Sequence, residues 1–268
     1  MVSRIGLIAG NRKFPIIVAS EAARANRLVV AIAIKGETSP RLSRFVEKIY
    51  WLGLDEFSKI FEIFQAENIK EAVMAGQISP RQLFRPQARN SPALKDLLDS
   101  LQDKRADTIF KAIAKRLEDK GITLLDSTSL MKNFLPKQGV LTKTQATASE
   151  REDIKLGLYI AKEIGRLDIG QTVAIKDKAI IAVEAFEGTD NLIRRAGKIT
   201  RGNAVIVKMS KPHQDMRFDV PVVGLNTIKN LARIKAAGLV IEAGKTLFID
   251  REQSIKLADR NKIWIEAV

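Results

Sequence analysis

An α/β fold in two domains is what this sequence predicts, and three observations carry it. Apolar runs of strand length alternate with stretches of helical period through the first half of the chain. The second half resumes that alternation after Lys132 to Glu150, a stretch without periodicity that gains Pro, Gly, Thr, Ser and Gln. The 268 residues, 46% hydrophobic and 28% charged, suffice for two cores of ordinary size. The expected domains are 1–138 and 139–268.

In chain order, Arg4 to Ala9 reads as a buried strand and Gly10 to Phe14 as a turn. Pro15 to Asn26 reads as a helix with proline in its first turn, and Leu28 to Ile34 as a second strand. Strands at Lys48 to Leu52 and Ala72 to Ala75 flank a helix expected from Asp55 to Glu67, whose Phe57, Ile60, Phe61 and Phe64 recur at helical spacing. This alternation builds a parallel, Rossmann-like sheet. Two of its strands run into glycine, at Gly10 and Gly76, but neither fits the GxGxxG dinucleotide pattern or the GxxxxGK[ST] phosphate loop. Helices are expected over Pro92 to Gln102 and Arg105 to Lys120, the second stopped by Gly121, before a strand at Ile122 to Leu125.

The second domain is expected to open with an amphipathic helix, Arg151 to Gly165, and a hairpin of Thr172 to Ile175 and Ala179 to Ala185. Glu187-Gly188-Thr189-Asp190 then starts a helix through Ala196 that Thr189 or Asp190 can cap, with amides able to face a phosphate. A helix from Asn226 to Ala237 ending at Gly238 follows, with strands at Leu239 to Glu242 and Thr246 to Ile249. A helix from Arg251 to Asn261 and a strand at Ile263 to Ala267 close the chain.

Composition narrows the chemistry. There is no Cys, which removes disulfides, thiolate nucleophiles, iron–sulfur clusters and Cys-based zinc sites, and His213 is the only histidine. A hydrolytic site must then use carboxylates, lysines, arginines, backbone amides and an oxygen-liganded metal such as Mg²⁺. The net charge of +14 is spread evenly, with 22 basic against 15 acidic residues up to Phe134 and 23 against 16 beyond it. An even spread without a basic stripe or interleaved aromatics argues against a nucleic-acid partner and suits anionic ligands or an anionic membrane surface. The longest apolar run, Leu28 to Ile34, falls far short of the roughly 20 residues of a membrane helix, and no export signal is evident. A cytoplasmic protein touching a membrane from inside is expected, and a homo-oligomer stays open.

Ala204 to Gly224 is the best site candidate. Read with the two-residue period of a strand, Asp215, Arg217 and Asp219 share one face while Met216, Phe218 and Val220 share the other. Pro221 cannot donate to a ladder, so the segment is expected at a sheet edge or strand end. Glu184, Glu187 and Asp190 form a second acidic group that serves either as caps and partners of Arg194 or Arg195, or as metal ligands.

These motifs carry a resemblance. EIGRLDIGQ (Glu163 to Gln171), VEAFEGTD (Val183 to Asp190) and KMSKPHQDMRFDVPVVG (Lys208 to Gly224) resemble the LpxI family, UDP-2,3-diacylglucosamine pyrophosphatases of lipid A synthesis. GLIAGNRKFP (Gly6 to Pro15) and MAGQISP (Met74 to Pro80) are similar to that family's two glycine-containing ligand loops. The resemblance implies a hydrolase splitting UDP-2,3-diacylglucosamine into UMP and lipid X with a divalent cation, normally Mg²⁺, and two α/β domains with substrate held between them. It puts the family's essential acid on Asp219, and its KP-QD polar residues on Lys211, Gln214 and Asp215. Catalysis is thereby expected from Asp219, Asp215 and Lys211, with Asp219 and Asp215 as metal ligands. Substrate contacts are expected at Gly10, Asn11, Gly76, Gly188, Thr189 and Asp190, and at Lys208, Gln214, Arg217 and Thr227. Asn11-Arg12-Lys13 and His213 depart from the family's more glycine-rich pattern. A sugar-nucleotide or dinucleotide binder without pyrophosphatase activity remains the alternative.

Overall fold

The computed structural model describes residues 3–78, 95–96, 99, 101, 103 and 106–268. Backbone contacts divide the chain into two units, Met1–Met131 with Asp215–Asp219, and Lys132–Gln214 with Val220–Val268. The first unit is built on strands β1 (Ser3–Ala9), β2 (Arg27–Ile34), β3 (Lys48–Leu52), β4 (Glu71–Ala75) and β5 (Thr123–Leu124). All are parallel, in the order β3-β2-β1-β4-β5. Strands of such a sheet are covered on both faces, which is why β2 reads as an unbroken apolar run with Val30, Ala31, Ile32 and Ala33 fully buried.

Helix α1 (Phe14–Arg24) has Pro15 in its first turn, where the missing amide costs nothing. The helix expected from Asp55 to Glu67 is broken. Leu54–Glu56 is a 3₁₀ turn, closed by the Glu56 carboxylate accepting the Gly53 amide, and α2 begins only at Lys59 and runs to Ala66. Phe57 and Phe61 still pack edge to face, 5.8 Å between centroids, in the core under β2 and β4. Helix α3 (Ala106–Asp119) ends before Gly121, whose φ of +73 fits the expected stop. The helix expected over Pro92 to Gln102 lies largely outside the described residues, as does Pro80.

The second unit holds a mixed sheet in the order β6-β13-β11-β9-β7-β8. Its strands are β6 (Gly139–Val140), β7 (Thr172–Lys176), β8 (Ala179–Val183), β9 (Val205–Lys208), β11 (Gly238–Ile241) and β13 (Trp264–Ala267). Strands β9, β11 and β13 are parallel, and β6, β7 and β8 add antiparallel edges. Helix α4 (Ala148–Arg166) starts three residues before the expected Arg151 because Thr147 and Glu150 form a reciprocal capping box. It covers one face, over Ile175, Val205 and Val207, while α5 (Thr189–Thr200), α6 (Leu225–Arg233) and α7 (Arg251–Arg260) pack on the other. The β7–β8 hairpin turns through Asp177 and Lys178, both left-handed, and the buried Asp153 carboxylate accepts both of their amides.

Two boundaries depart from expectation. Helix α6 stops at Arg233 rather than Ala237, with Lys235 left-handed and the Ala236 amide reaching back to the Leu231 carbonyl. Gly238 is therefore no cap: it lies in β11 opposite Trp264, whose ring occupies the space any side chain would need. The strand expected at Thr246 to Ile249 shrinks to β12 (Leu247–Phe248), which pairs with β10 (Val222–Val223) in a separate two-stranded sheet.

Candidate functional site

In the first unit the strand order reverses at β1, whose neighbours are β2 and β4. Diverging connections leave a crevice beyond the carboxyl ends of such strands, the usual ligand position in open α/β sheets. Gly10 follows β1 and Gly76 follows β4, and the two loops lie backbone on backbone. The Gly10 amide donates to the Ala75 carbonyl at 2.8 Å and the Asn11 amide to the Gln77 carbonyl at 2.7 Å. A Cβ on Gly10 would come within 2.5 Å of the Gln77 carbonyl oxygen, and one on Gly76, where φ is +86, within 2.6 Å of that of Asn11. Both glycines are thus required by loop packing. The Asn11 side chain donates to Glu37 at 2.7 Å, which orients the loop tip.

The Asp215–Asp219 segment belongs to this first unit although its flanks belong to the second. It is not the strand expected from its alternation. The Asp219 amide closes a turn onto the Asp215 carbonyl at 3.0 Å, and the Asp215 carboxylate accepts the Arg217 amide at 3.1 Å. An aspartate that hydrogen-bonds two residues ahead gives the backbone an alternative to a ladder, and here the turn prevails. Asp215 and Arg217 still meet, through Nη2 to Oδ2 at 2.8 Å and Nε to Oδ1 at 3.0 Å. This bond first, against the opposing effect of burial, holds the Asp215 carboxyl below its ordinary value and raises the guanidinium above its own. Arg217 also pairs with Glu118 at 2.8 Å.

Ser127 seats the turn. Its hydroxyl lies 2.7 Å from the Met74 carbonyl in β4 and 2.7 Å from the Arg217 carbonyl, and its amide donates to the Met216 carbonyl at 2.9 Å. Phe218 stacks on Phe110 at 5.5 Å and packs against the core. Asp219 thereby lies on a turn fastened beside the carboxyl end of β4, with its Oδ2 shielded from solvent.

In the second unit polar side chains gather past the carboxyl end of β9. Lys211 pairs with Asp168 at 2.8 Å, and its amide donates to the Gln214 side chain at 2.6 Å. Just upstream, the Ser210 amide and hydroxyl both donate to Glu242, the residue after β11. Lys208, in β9, donates to the Thr189 hydroxyl at 2.8 Å, and Thr189 donates to Glu184 at 2.9 Å. Asp190 accepts from Asn226 at 3.0 Å and Asn230 at 3.0 Å, while Thr227 is buried in the first turn of α6.

The cap expected of Thr189 or Asp190 is not made. Gly188, at φ +81 and ψ 161, is the N-cap of α5 and no side chain caps that helix, because both hydroxyl and carboxylate turn to other side chains. The acidic group also disperses: Glu187 pairs with Arg195, Asp190 with the two asparagines and Glu184 with Thr189. Among the described residues no three His, Asp or Glu side chains converge as a metal cage. Sequence reasoning missed Ser127, Asp168 and Glu242. Asp168 left a signal as part of EIGRLDIGQ and Glu242 as an acid at the end of an expected strand, whereas Ser127 left none.

Comparison with known proteins covers the chain from end to end. The model of the LpxI N-terminal domain matches residues 4–134 and that of the LpxI C-terminal domain matches residues 137–266. A Caulobacter vibrioides protein named UDP-2,3-diacylglucosamine pyrophosphatase LpxI is 33% identical over 275 residues, spanning 99% of this chain and 97% of that protein. Among solved structures, the biotin carboxylase domain of a thermophilic 2-oxoglutarate carboxylase bound to ADP aligns at a TM-score of 0.29 and 17% identity, over 65% of this chain and 35% of that one. An ADP complex of N5-carboxyaminoimidazole ribonucleotide synthetase aligns at 0.29 and 11%, over 70% and 40%. This chain spans well under half of either structure, and overlap at that level carries no argument.

Proposed function

The chain belongs to the LpxI family, and from that premise we propose that it hydrolyses the diphosphate of UDP-2,3-diacylglucosamine to UMP and 2,3-diacylglucosamine 1-phosphate, lipid X, in lipid A synthesis. The observation that carries this reading is the Asp215–Asp219 turn, which sets two carboxylates and an arginine beside the carboxyl end of β4, next to the strand-order reversal. Hydrolysing a phosphoanhydride needs a water held in line and charge balanced on phosphate oxygens, more than it needs a covalent nucleophile. Asp219 is assigned the water. Arg217, held by Asp215 and Glu118, balances the phosphate charge.

Magnesium is the cofactor this reading calls for, and the donor set fits it. A cage of three carboxylates is absent among the described residues, but Mg²⁺ is commonly held by one or two carboxylates and completes its shell with phosphate oxygens and waters. Asp219 would be the first ligand. Asp215 would be the second by giving up one of the bonds through which the Arg217 amide, Nε and Nη2 occupy both its oxygens. When bound, the ion would neutralise charge on the diphosphate oxygens.

We also place the protein at the cytoplasmic face of the inner membrane, where a diacylated substrate resides. No described helix is long and apolar enough to cross a membrane. Leu167, Ile169 and Phe186 are exposed in the second unit, and the net charge of +14 favours an anionic surface. Incubating the purified protein with UDP-2,3-diacylglucosamine and Mg²⁺, with mass spectrometry for UMP and lipid X, tests the activity. Both products are expected, and intact substrate after prolonged incubation sinks the proposal.

A further inference from the structure

A cavity of about 350 Å³ opens in the second unit at the amino ends of its parallel strands. Asn203, Lys235 and Lys262 line it, each just ahead of β9, β11 or β13, whereas Lys208 and Glu242 mark the carboxyl ends of β9 and β11. The two lysines stand in matching turns. After α6 the Lys235 amide donates to the Ala232 carbonyl and the Ala236 amide to that of Leu231. After α7 the Lys262 amide donates to Asp259 and the Ile263 amide to Ala258. Both lysines are left-handed, at φ +52 and +56, in a position that favours glycine or asparagine. The first unit obeys that preference, with Asn26 after α1, Asn68 after α2 and Gly121 after α3.

Helix polarity does not account for the lysines, because Arg233 and Arg260 already place a cation in the last turn of α6 and α7. Nor does pairing: among the described residues neither lysine side chain makes a hydrogen bond or an ion pair. Glu150 also borders the cavity, but its Oε2 accepts the Thr147 amide at 2.7 Å, the Thr147 hydroxyl at 2.9 Å and the Trp264 indole at 3.3 Å. With that carboxylate engaged, two lysines on one cavity call for an anion. The rest of the lining specifies what carries it. Gln145, Asn203 and Asn261 bring three carboxamides, each with a donor and an acceptor side by side, the arrangement that matches the edge of a nucleobase. The volume is that of a site enclosing one small organic ligand.

We infer that this cavity is a second ligand site that binds a nucleoside monophosphate, its phosphate held by Lys235 and Lys262 and its base edge met by Gln145 and Asn203. The site goes beyond the hydrolysis proposed above and does not depend on it. Its place at the amino ends of β9, β11 and β13 keeps it apart from Lys208 and Glu242 at the other end of the same sheet.

The test follows the Trp264 indole N–H resonance in the full chain carrying Trp51→Phe, which leaves a single indole to report. AMP, UMP, adenosine and inorganic phosphate are titrated in turn. At least one nucleotide should shift the resonance saturably, and adenosine and phosphate should each bind about tenfold or more weakly, as loss of hydrogen bonds at either end of the ligand implies. Lys235→Asn together with Lys262→Asn removes both charges and supplies residues that accept the left-handed turn. That variant should melt no lower than the parent and bind the nucleotide about tenfold or more weakly. No saturable shift with either nucleotide up to about 10 mM overturns the inference, as does unchanged affinity in the double variant, or adenosine or phosphate binding as tightly as the nucleotide. Should Trp51→Phe not fold, calorimetric titration of the unsubstituted chain and the double lysine variant makes the same comparison. Hydrolysis is scored separately: its absence removes the activity proposed above and leaves this site to be decided by the titrations.

Discussion

Replacing Ser127 by alanine should loosen the Asp215–Asp219 turn from the strand that carries it. The hydroxyl has one proton and sits 2.7 Å from each of two carbonyl oxygens, Met74 in β4 and Arg217 in the turn. At 2% exposure no water readily replaces it. Alanine therefore removes one bond worth about 1 kcal/mol and leaves buried carbonyl oxygens short of a donor, for a loss of about 1–2 kcal/mol in all. In a unit of this size that is a melting-temperature drop of several degrees, on the order of 4–8 °C. The backbone bond from Ser127 to Met216 survives, so the turn should stay folded but shift. Misplacing Asp219 and Arg217 by about 1 Å is enough to lower turnover up to roughly 10²-fold. Steady-state hydrolysis of UDP-2,3-diacylglucosamine well below the melting temperature, alongside thermal melts, separates the two effects. A Ser127→Ala protein that melts early yet turns over like wild type well below its transition would show that the seat of the turn is irrelevant to chemistry.

Asp219→Asn should leave the melting temperature near wild type and reduce turnover by roughly 10²–10⁴, and retention of more than about a tenth of wild-type turnover at saturating Mg²⁺ removes Asp219 from the mechanism. Gly188→Ala should cost about 1–3 kcal/mol and raise KM, because φ +81 with ψ 161 is a region only glycine occupies readily, although nothing lies within 4 Å of the added carbon; an unchanged melt and KM refutes this. Since the Asp215 carboxyl lies below its ordinary 3.8, chiefly through Arg217, its stabilising contribution is complete above 3.8 and lost as pH falls through the lower folded value. The stability difference between wild type and Asp215→Asn should thus stay flat between about pH 8 and about pH 5 and shrink only below 3.8, and a difference already fading at neutral pH contradicts the assignment. Binding to anionic vesicles should weaken as salt rises, and equal binding to neutral vesicles argues against electrostatic attachment.

The elements of both sheets were legible where a strand is buried on both faces, as in Val29 to Ile34, since an unbroken apolar run has few other uses. The turn at Asp215–Asp219 was not. Alternation of polar and apolar side chains is shared by a half-buried strand and by a turn that drops Phe218 into a core, and only the bonds from Ser127 and within Asp215 distinguish them. Gly238 was misread for a similar reason, because a glycine after a helical stretch signals a cap unless a distant Trp264 needs the space.

By itself the sequence determined the α/β class, the glycines that end β1 and β4, the exclusion of thiol chemistry and the motifs that place the chain in its family. These are local properties: periodicity, residue type and short-range spacing survive without knowledge of contacts. Tertiary structure alone decided that Asp215–Asp219 belongs to the first unit, that Thr189 serves Glu184 and Lys208 instead of capping α5, and that Ser127, Asp168 and Glu242 hold the candidate groups in place. Ser127 and Arg217 are 90 residues apart in sequence, and Asp168 and Lys211 are 43 apart. No local pattern encodes partners at that separation, because a hydrogen bond is chosen by which surfaces the folded core brings together.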